Sequence, residues 1–331
     1  MPDEENNILI SVVIPTHNRA DALELTLAHL SGQDFSGKWE AIVVNNNCTD
    51  NTDEVVKSFK EKFPVPLHLI HESVPGPAAA RNAGARKAEG EVIVFIDNDI
   101  LVRGDFIERH YNRIQENPGC WFVGQVINLP EQESTVFGRY RKHLFPEVPA
   151  DNGLKKIEGI TGQTTSMRRE DFDKLGGFDE NFHVASGEDH ELALRAQESG
   201  TIIYFDPGII VLHNDWAGSS IRDFCRRQRL YTQTEPFFWK KYGEKTPRIE
   251  MVRKNLPPAL KRDGVKLFLW KKTKGVLASD AGQSSIIKLC ELSEKMLPAP
   301  KILWKLYRLA IAGAIYKGFQ EGLAIYSIND K

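Results

Sequence analysis

The chain has 331 residues, 41% of them hydrophobic and 27% charged, which is ordinary for a globular protein and enough for one large α/β domain with an appendage. Four cysteines, Cys48, Cys120, Cys225 and Cys290, lie far apart with no C-x-x-C pair, which excludes a disulfide scaffold and predicts a reducing compartment. The net charge of −2 hides a division: residues 240–331 carry 19 Lys and Arg against 8 Asp and Glu, and the remainder carries 24 against 37. The first residues are acidic and no apolar run reaches the roughly 18–20 residues of a spanning helix, so the expected location is the cytoplasm.

Along the chain, residues 10–14 form a short apolar run, 21–30 show helical spacing, and 41–44 are apolar again. Residues 50–63 read as a helix stopped by Pro64, 67–70 as a strand, 77–88 as a helix and 92–96 as the next strand. Strands alternating with helices predict right-handed crossovers and a doubly wound, mainly parallel α/β sheet. Ligands on such sheets bind at the carboxyl ends of the strands, and the polar clusters fall there. Pro15, Thr16, His17, Asn18 and Arg19 follow the first strand, Asn45 to Asp50 the second, and Asp97, Asn98 and Asp99 the fourth.

In an extended backbone, side chains two residues apart point the same way, so Asp97 and Asp99 can converge on one hard cation such as magnesium or manganese. Alone, a D-x-D triplet is as readily a polar turn after a buried strand. A dinucleotide-binding domain would need a glycine-rich turn after the first strand, and residues 15–19 contain no glycine. No G-x-x-x-x-G-K-[ST] segment occurs either, so phosphates must be met by metal and arginine.

Residues 12–19 (VVIPTHNR), the loop from Asn45 to Asp50, the segment from Gly76 to Gly84 with Arg81-Asn82, the Asp97-Asn98-Asp99 triplet, Gly176-Gly177-Phe178-Asp179 and Gly187-Glu188-Asp189-His190-Glu191-Leu192 stand in one order. In that order they resemble family 2 glycosyltransferases, and the chain is similar to an inverting enzyme of the GT-A fold over roughly residues 8–235. The resemblance implies a domain at 1–235, followed by a basic helical extension at 236–331. It implies a nucleotide-sugar donor, usually a uridine diphosphate sugar, bordered by Pro15, Thr16, His17, Asn18 and Arg19, with Asn47, Asp50 and Asn98 nearby. Family members often carry an aspartate where this chain has Asn45, whose amide oxygen can accept the same hydrogen bond from the base. Arg81 would lie near the nucleotide or diphosphate, where its planar fork suits anionic oxygens.

On the acceptor side, Glu188 and Asp189 open a helical segment, where the macrodipole favours acids in any case. The same dipole favours an ionised Asp189, as a general base for an acceptor hydroxyl requires. The resemblance makes Asp189 that base, with Glu188 orienting the acceptor or the loop. His213 ends the apolar run 209–212 and is either a further metal ligand or a surface residue; Trp216 either stacks on an acceptor sugar or packs beneath the site. Arg226-Arg227-Gln228-Arg229 matches only part of the Q-x-x-R-W motif of processive synthases, which points to single transfers, with an arginine such as Arg229 covering the diphosphate.

The resulting expectation is an in-line displacement by a hydroxyl of a glycan or glycolipid, assisted by a divalent metal (Mn2+ or Mg2+) at Asp97, Asp99 and His213. A sugar nucleotidyltransferase would show a glycine- and lysine-rich loop near the first strand, which is absent; a non-catalytic binding scaffold would not need Asp97, Asp99 and Asp189 together. Nucleic acid is not an expected partner. Residues 302–316 mix Leu, Ile, Trp and Tyr with Lys305 and Arg308, followed by Lys317, and three readings of them stay open: a membrane interface, packing on the catalytic domain, or a homodimer contact.

Overall fold

The computed structural model describes residues 8–182, 186–215, 220–246, 249–296 and 300–328. The chain divides into two compact units, one made of Met1–Leu129 and Phe145–Asn214, the other of Pro130–Leu144 and Asp215–Lys331. The second unit also takes a short excursion from within the first.

The first unit begins with β1 (Ile10–Thr16), α1 (Ala20–Leu30), β2 (Trp39–Asn45), α2 (Thr52–Lys60), β3 (Leu67–His71), α3 (Pro77–Lys87) and β4 (Val92–Phe95). β1, β2 and β4 are buried along nearly their whole length, as apolar runs in a sheet covered on both faces must be. Alternation sends Val12 and Ile14 to one core layer and Val13 to the other. Proline at its first position starts α3, and its alanines let it lie close on the sheet. A side chain at Gly84 would sit 2.3 Å from Val13 Cγ1, so only glycine permits that approach. The close seating carries Arg81, on the same helix, into the interior beside the end of β4.

The unit continues with β5 (Ile100–Val102), α4 (Phe106–Glu116), β6 (Cys120–Asn128), β7 (Lys155–Lys156), β8 (Thr165–Arg168), α6 (Arg169–Lys174), α7 (Glu188–Glu198) and β9 (Ile202–His213). Between β6 and β7 the excursion into the second unit carries α5 (Val136–Leu144). The sheet order is β3-β2-β1-β4-β8-β6-β9-β5, with β7 paired to β9. The first four strands are parallel, as expected; β8 then runs antiparallel to both neighbours, and β5 and β7 run antiparallel to β9. The result is a mixed sheet. The pairing of Ile100 with His213 brings the end of β9 beside the Asp97–Asp99 triplet.

The second unit is helical: α5, α8 (Ile221–Thr232), α9 (Glu235–Tyr242), α10 (Ile249–Asn255), α11 (Leu260–Ala278), α12 (Asp280–Met296) and α13 (Pro300–Ile325). α13 packs against α8, α9, α10, α11 and α12. Its Leu303, Tyr307, Ala310 and Ala314 are buried with Phe137, Tyr140, Phe224 and Cys290. The apolar face of residues 302–316, open in sequence to a membrane reading, is thus spent on the core of its own unit. None of the helices among the described residues is long and apolar enough to cross a membrane.

Candidate active site

The carboxyl ends of β1, β2 and β4 surround a cleft of about 430 Å³ whose walls include Thr16, His17, Asn46, Arg81, Asp97 and Asp99. The backbone at its rim is tightly turned: Asn18, Arg19 and Asn47 hold positive φ angles of 57°, 65° and 58°, a region non-glycine residues enter at a cost that local structure must offset. Hydrogen bonds knit these turns together. Asn18 Oδ1 accepts from the Thr49 amide at 2.9 Å, the Asn18 amide donates to Cys48 Sγ at 3.1 Å, and His17 Nδ1 lies 2.7 Å from the Asn46 carbonyl.

Four residues assigned to the nucleotide from sequence also make hydrogen bonds within these turns. Asn45 accepts from the Cys48 amide at 2.8 Å and donates to Asp53 Oδ1 at 2.7 Å, so its amide oxygen already holds the turn. Asp53, which sequence reasoning passed over, is held in turn by His71 at 2.9 Å. Asp50 satisfies the first amide of two helices, accepting from the Ala20 amide at 2.9 Å and the Thr52 amide at 3.2 Å, and it also takes Thr52 Oγ1 at 2.6 Å. Burial raises its carboxyl, but the bonds from Thr52 and Ala20 outweigh that and hold it below the usual carboxylate range. Asn47 Nδ2 donates to the Ser73 carbonyl, and Asn98 Nδ2 to the Asn18 carbonyl.

At the end of β4, Asp99 Oδ2 meets Arg19 Nη1 at 2.8 Å and His213 Nε2 at 3.3 Å. Arg19 also donates to the Asn214 carbonyl at 3.1 Å, tying the turn after β1 to the end of β9. Asp97 meets Arg81 Nη2 at 2.9 Å. The structure thus unites His213 with Asp99, while Asp97 joins a separate pair. Among the described residues no three His, Cys, Asp or Glu side chains form a ready-made metal cage.

Arg81 is the hub of the site. Sequence placed it beside the diphosphate; here its buried guanidinium also donates to Glu188 Oε1 at 3.0 Å and approaches Asp189 Oδ1 at 3.6 Å, while still lining the cleft. Burial lowers its affinity for a proton, but Asp189, Asp97 and Glu188 more than reverse this, so it stays charged. Burial pushes the Asp97 carboxyl up, Arg81 pulls it down, and Asp99 and Asp189 push it up again. Glu188, 3% exposed, is pushed up to about 7 by burial first and then by the charge of Asp189, against the pull of Arg81. One guanidinium against three carboxylates leaves negative charge to be offset, and Glu188 takes up part of it as a proton.

The loop before β8 supplies what sequence reasoning missed. The Gly162 amide donates to Asp189 Oδ2 at 2.9 Å, and a side chain at Gly162 would sit 2.0 Å from Arg81 Nη2, so this position must be glycine for the hub to form. Gln163 Nε2 lies 3.2 Å from His213 Nε2. Asn46 holds the loop before α3 by accepting from the Gly76 amide at 2.9 Å and donating to the Glu72 and Val74 carbonyls. Its place in an Asn-Asn-Asn run was the available signal. Asn82 and Phe178 exchange backbone and amide bonds at 2.9 Å, which fixes the 176–179 turn as a shaping element.

Arg229 belongs to the second unit, where its guanidinium grips Glu321 at 2.8 and 2.5 Å. That pairing differs from the diphosphate contact expected of it. Trp216 lies outside the described residues.

A sheet of this order with a cleft at its strand ends is the GT-A fold. It is shared with the mannosyltransferase PcManGT from Pyrobaculum calidifontis, solved with GDP-Man and Mn2+, at a TM-score of 0.63 and 19% identity over 97% of this chain and 90% of that one. Staphylococcus aureus TarS 1–349 in complex with UDP-GlcNAc matches at 0.50 with 17% identity, over 98% of this chain and 93% of that one. The chain belongs to glycosyl transferase family 2, whose model matches residues 11–176, half of its length. A model for the N-terminal domain of galactosyltransferase matches residues 143–210. The chain is 28% identical over 228 residues to validoxylamine A glucosyltransferase of Streptomyces hygroscopicus subsp. jinggangensis, covering 60% of this chain and 54% of that protein. It is also 28% identical over 232 residues to the pre-mycofactocin glycosyltransferase of Mycobacterium tuberculosis, covering 67% and 46%. The chain therefore spans about half the length of these curated relatives.

Proposed function

We propose that the chain transfers a sugar from a nucleoside-diphosphate sugar to an acceptor hydroxyl, with inversion at the anomeric carbon. The observation that carries this reading is the Arg81 hub, which links the strand-end aspartate Asp97 at the cleft to the acid pair Glu188-Asp189 within one guanidinium's span. Asp189, held through one oxygen by the Gly162 amide, removes the proton from the acceptor hydroxyl. The hydroxyl oxygen forms the new bond to the anomeric carbon as the bond to the diphosphate oxygen breaks on the opposite face, and the diphosphate leaves with the electron pair. Asp189 ends the step protonated. No covalent sugar intermediate is needed.

The donor set suits a hard divalent cation: two carboxylates, Asp97 and Asp99, at one strand end, with the His213 imidazole against Asp99. The excess of carboxylate over guanidinium around Asp97 supports the same fit. When bound, Mn2+ or Mg2+ would neutralise charge gathering on the leaving diphosphate. Arg19 and Arg81, both charged and both beside these aspartates, would add to that stabilisation. The neighbours' GDP-Man and UDP-GlcNAc bring both guanosine and uridine donors into the test.

A panel of nucleotide sugars tests the reading, with nucleoside diphosphate release measured with Mn2+ and after chelation. Release from one donor class, abolished by chelator and restored by Mn2+, is the expected result. Absence of both release and thermal stabilisation with every donor would overturn it, since a ligand binding only the folded state raises its stability.

A further inference from the structure

Sixteen large hydrophobic side chains are exposed among the described residues, and nine of them fall between 260 and 302: Leu260, Val265, Leu269, Trp270, Val276, Leu289, Leu292, Met296 and Ile302. Single exposed apolar residues are normal; such concentration marks an interaction surface. In the continuous part of α11 beyond its break at Gly264, Val265, Leu269, Lys272 and Val276 share a helical face. In α12, Lys288, Leu289, Leu292, Lys295 and Met296 do the same. Both faces turn outward, with Val265 66%, Val276 70% and Met296 76% exposed.

The charges on this surface are unbalanced. Residues 260–308 hold eleven Lys and Arg, two of them (Lys271 and Lys274) buried, against four acids, and every one of the acids is tied inside the unit. Asp263 pairs with Lys271, Asp280 with Lys317, Glu291 with Arg222, and Glu294 accepts from the Tyr307 hydroxyl. Lys261, Lys266, Lys288, Lys295, Lys301 and Lys305 are exposed, and none makes an ion pair with another described residue.

We propose that the outer face of α11 and α12, with the first turn of α13, docks on an anionic phospholipid surface. Apolar side chains alternating with unpaired lysines on one helical face suit a bilayer boundary, where the apolar groups enter the headgroup region and the lysines meet lipid phosphate. A second copy of the chain seated on the same face would set lysine against lysine, so charge favours lipid over self-association. With no spanning helix among the described residues, the contact is adsorption. The apolar face of residues 302–316 considered in sequence lies in the core; from that segment Ile302 and Lys305 join this surface. It stands independently of the proposed reaction.

Flotation of the full chain with vesicles of phosphatidylcholine alone, or mixed with phosphatidylglycerol, at low and high salt is the test. The chain should float with the anionic vesicles at low salt and release as salt rises, because the lysine contribution is screened. The variant Leu269→Ser, Leu292→Ser, Met296→Ser alters only exposed positions, and its melting curve should match the parent. It should float at least tenfold less. Lys288→Glu with Lys295→Glu should reduce binding more than tenfold, at about fivefold for each lysine lost. Failure of the parent to float with anionic vesicles overturns the proposal, as does undiminished flotation of the apolar variant. A dimer of the parent that becomes a monomer in the apolar variant would overturn it too, since a second copy would then cover the face.

Discussion

Buried charge occurs in both units, and the contrast between the two clusters separates a site from a support. In the first unit one guanidinium, Arg81, serves Asp97, Glu188 and Asp189, and the cluster borders a cleft. In the second, fully buried Lys271 meets Asp263 at 2.7 Å, and Lys274 donates to Asn255 Oδ1 at 2.7 Å. Arg262 as well as Lys271 pairs with Asp263, so this cluster holds no surplus of negative charge. The Arg81 cluster does not balance, and its surplus of negative charge is what a proton or cation can answer. Burial alone therefore does not mark function; an unbalanced cluster at an opening does.

The largest expected effect breaks the site and spares the fold. Asp189→Asn keeps the bond from the Gly162 amide and cannot accept the proton, so transfer should fall roughly 10²- to 10⁴-fold. Donor affinity and melting temperature should stay close to the parent, read by calorimetry and a thermal melt. Loss of donor binding along with turnover would make Asp189 a ligand or a structural residue. The converse substitution, Lys271→Met, leaves Asp263 with Arg262 as its remaining cation at 3.3 Å and should cost at most about 3–5 kcal/mol of stability in denaturant unfolding. Transfer per folded molecule should not change. A drop in turnover without a drop in stability would erase the distinction between the two clusters.

How far these clusters were readable beforehand depends on the range of the contacts. β1 to β4 were legible because each is an apolar run ending in a polar cluster, and the site aspartates because they sit at those ends. The antiparallel half was not. β5 has three residues, β7 is two lysines, and β8, Thr165–Arg168, is polar in sequence yet buried. Their pairing comes from the sheet that receives them, not from their own pattern. The excursion that carries α5 into the second unit left no local mark for the same reason. In the site, Asp189 was named by motif, but the partners of Arg81 were not, because Glu188 lies 107 residues away. Gly162 reads as an ordinary loop glycine until Arg81 is seen packed against it.

Acid titration probes the imbalance at a smaller scale. Glu188 is raised from 4.5 to about 7, chiefly by burial and then by Asp189, so the folded chain binds more protons than the unfolded one between those values. Stability should therefore be highest below the unfolded value and fall as pH rises to about 7, by about 3 kcal/mol at most for this coupled pair. Glu188→Gln should flatten that slope in chelated protein, measured as denaturant midpoints across the window. An unchanged slope would place the extra proton elsewhere.

The smallest expected effect settles where Arg229 belongs. Its side chain is 42% exposed and its partner Glu321 28% exposed, so the pair is worth about 0–1 kcal/mol despite its short contacts. Arg229→Ala should lower stability by no more than that and leave donor affinity within about twofold, because the guanidinium is engaged on α13. A role over the diphosphate would look different: removing a charge-assisted bond to phosphate costs about 1.5–3 kcal/mol, a loss of tenfold or more in donor affinity. Titration of the donor by calorimetry separates the two outcomes cleanly. A tenfold loss would mean that Arg229 trades Glu321 for the diphosphate when donor binds.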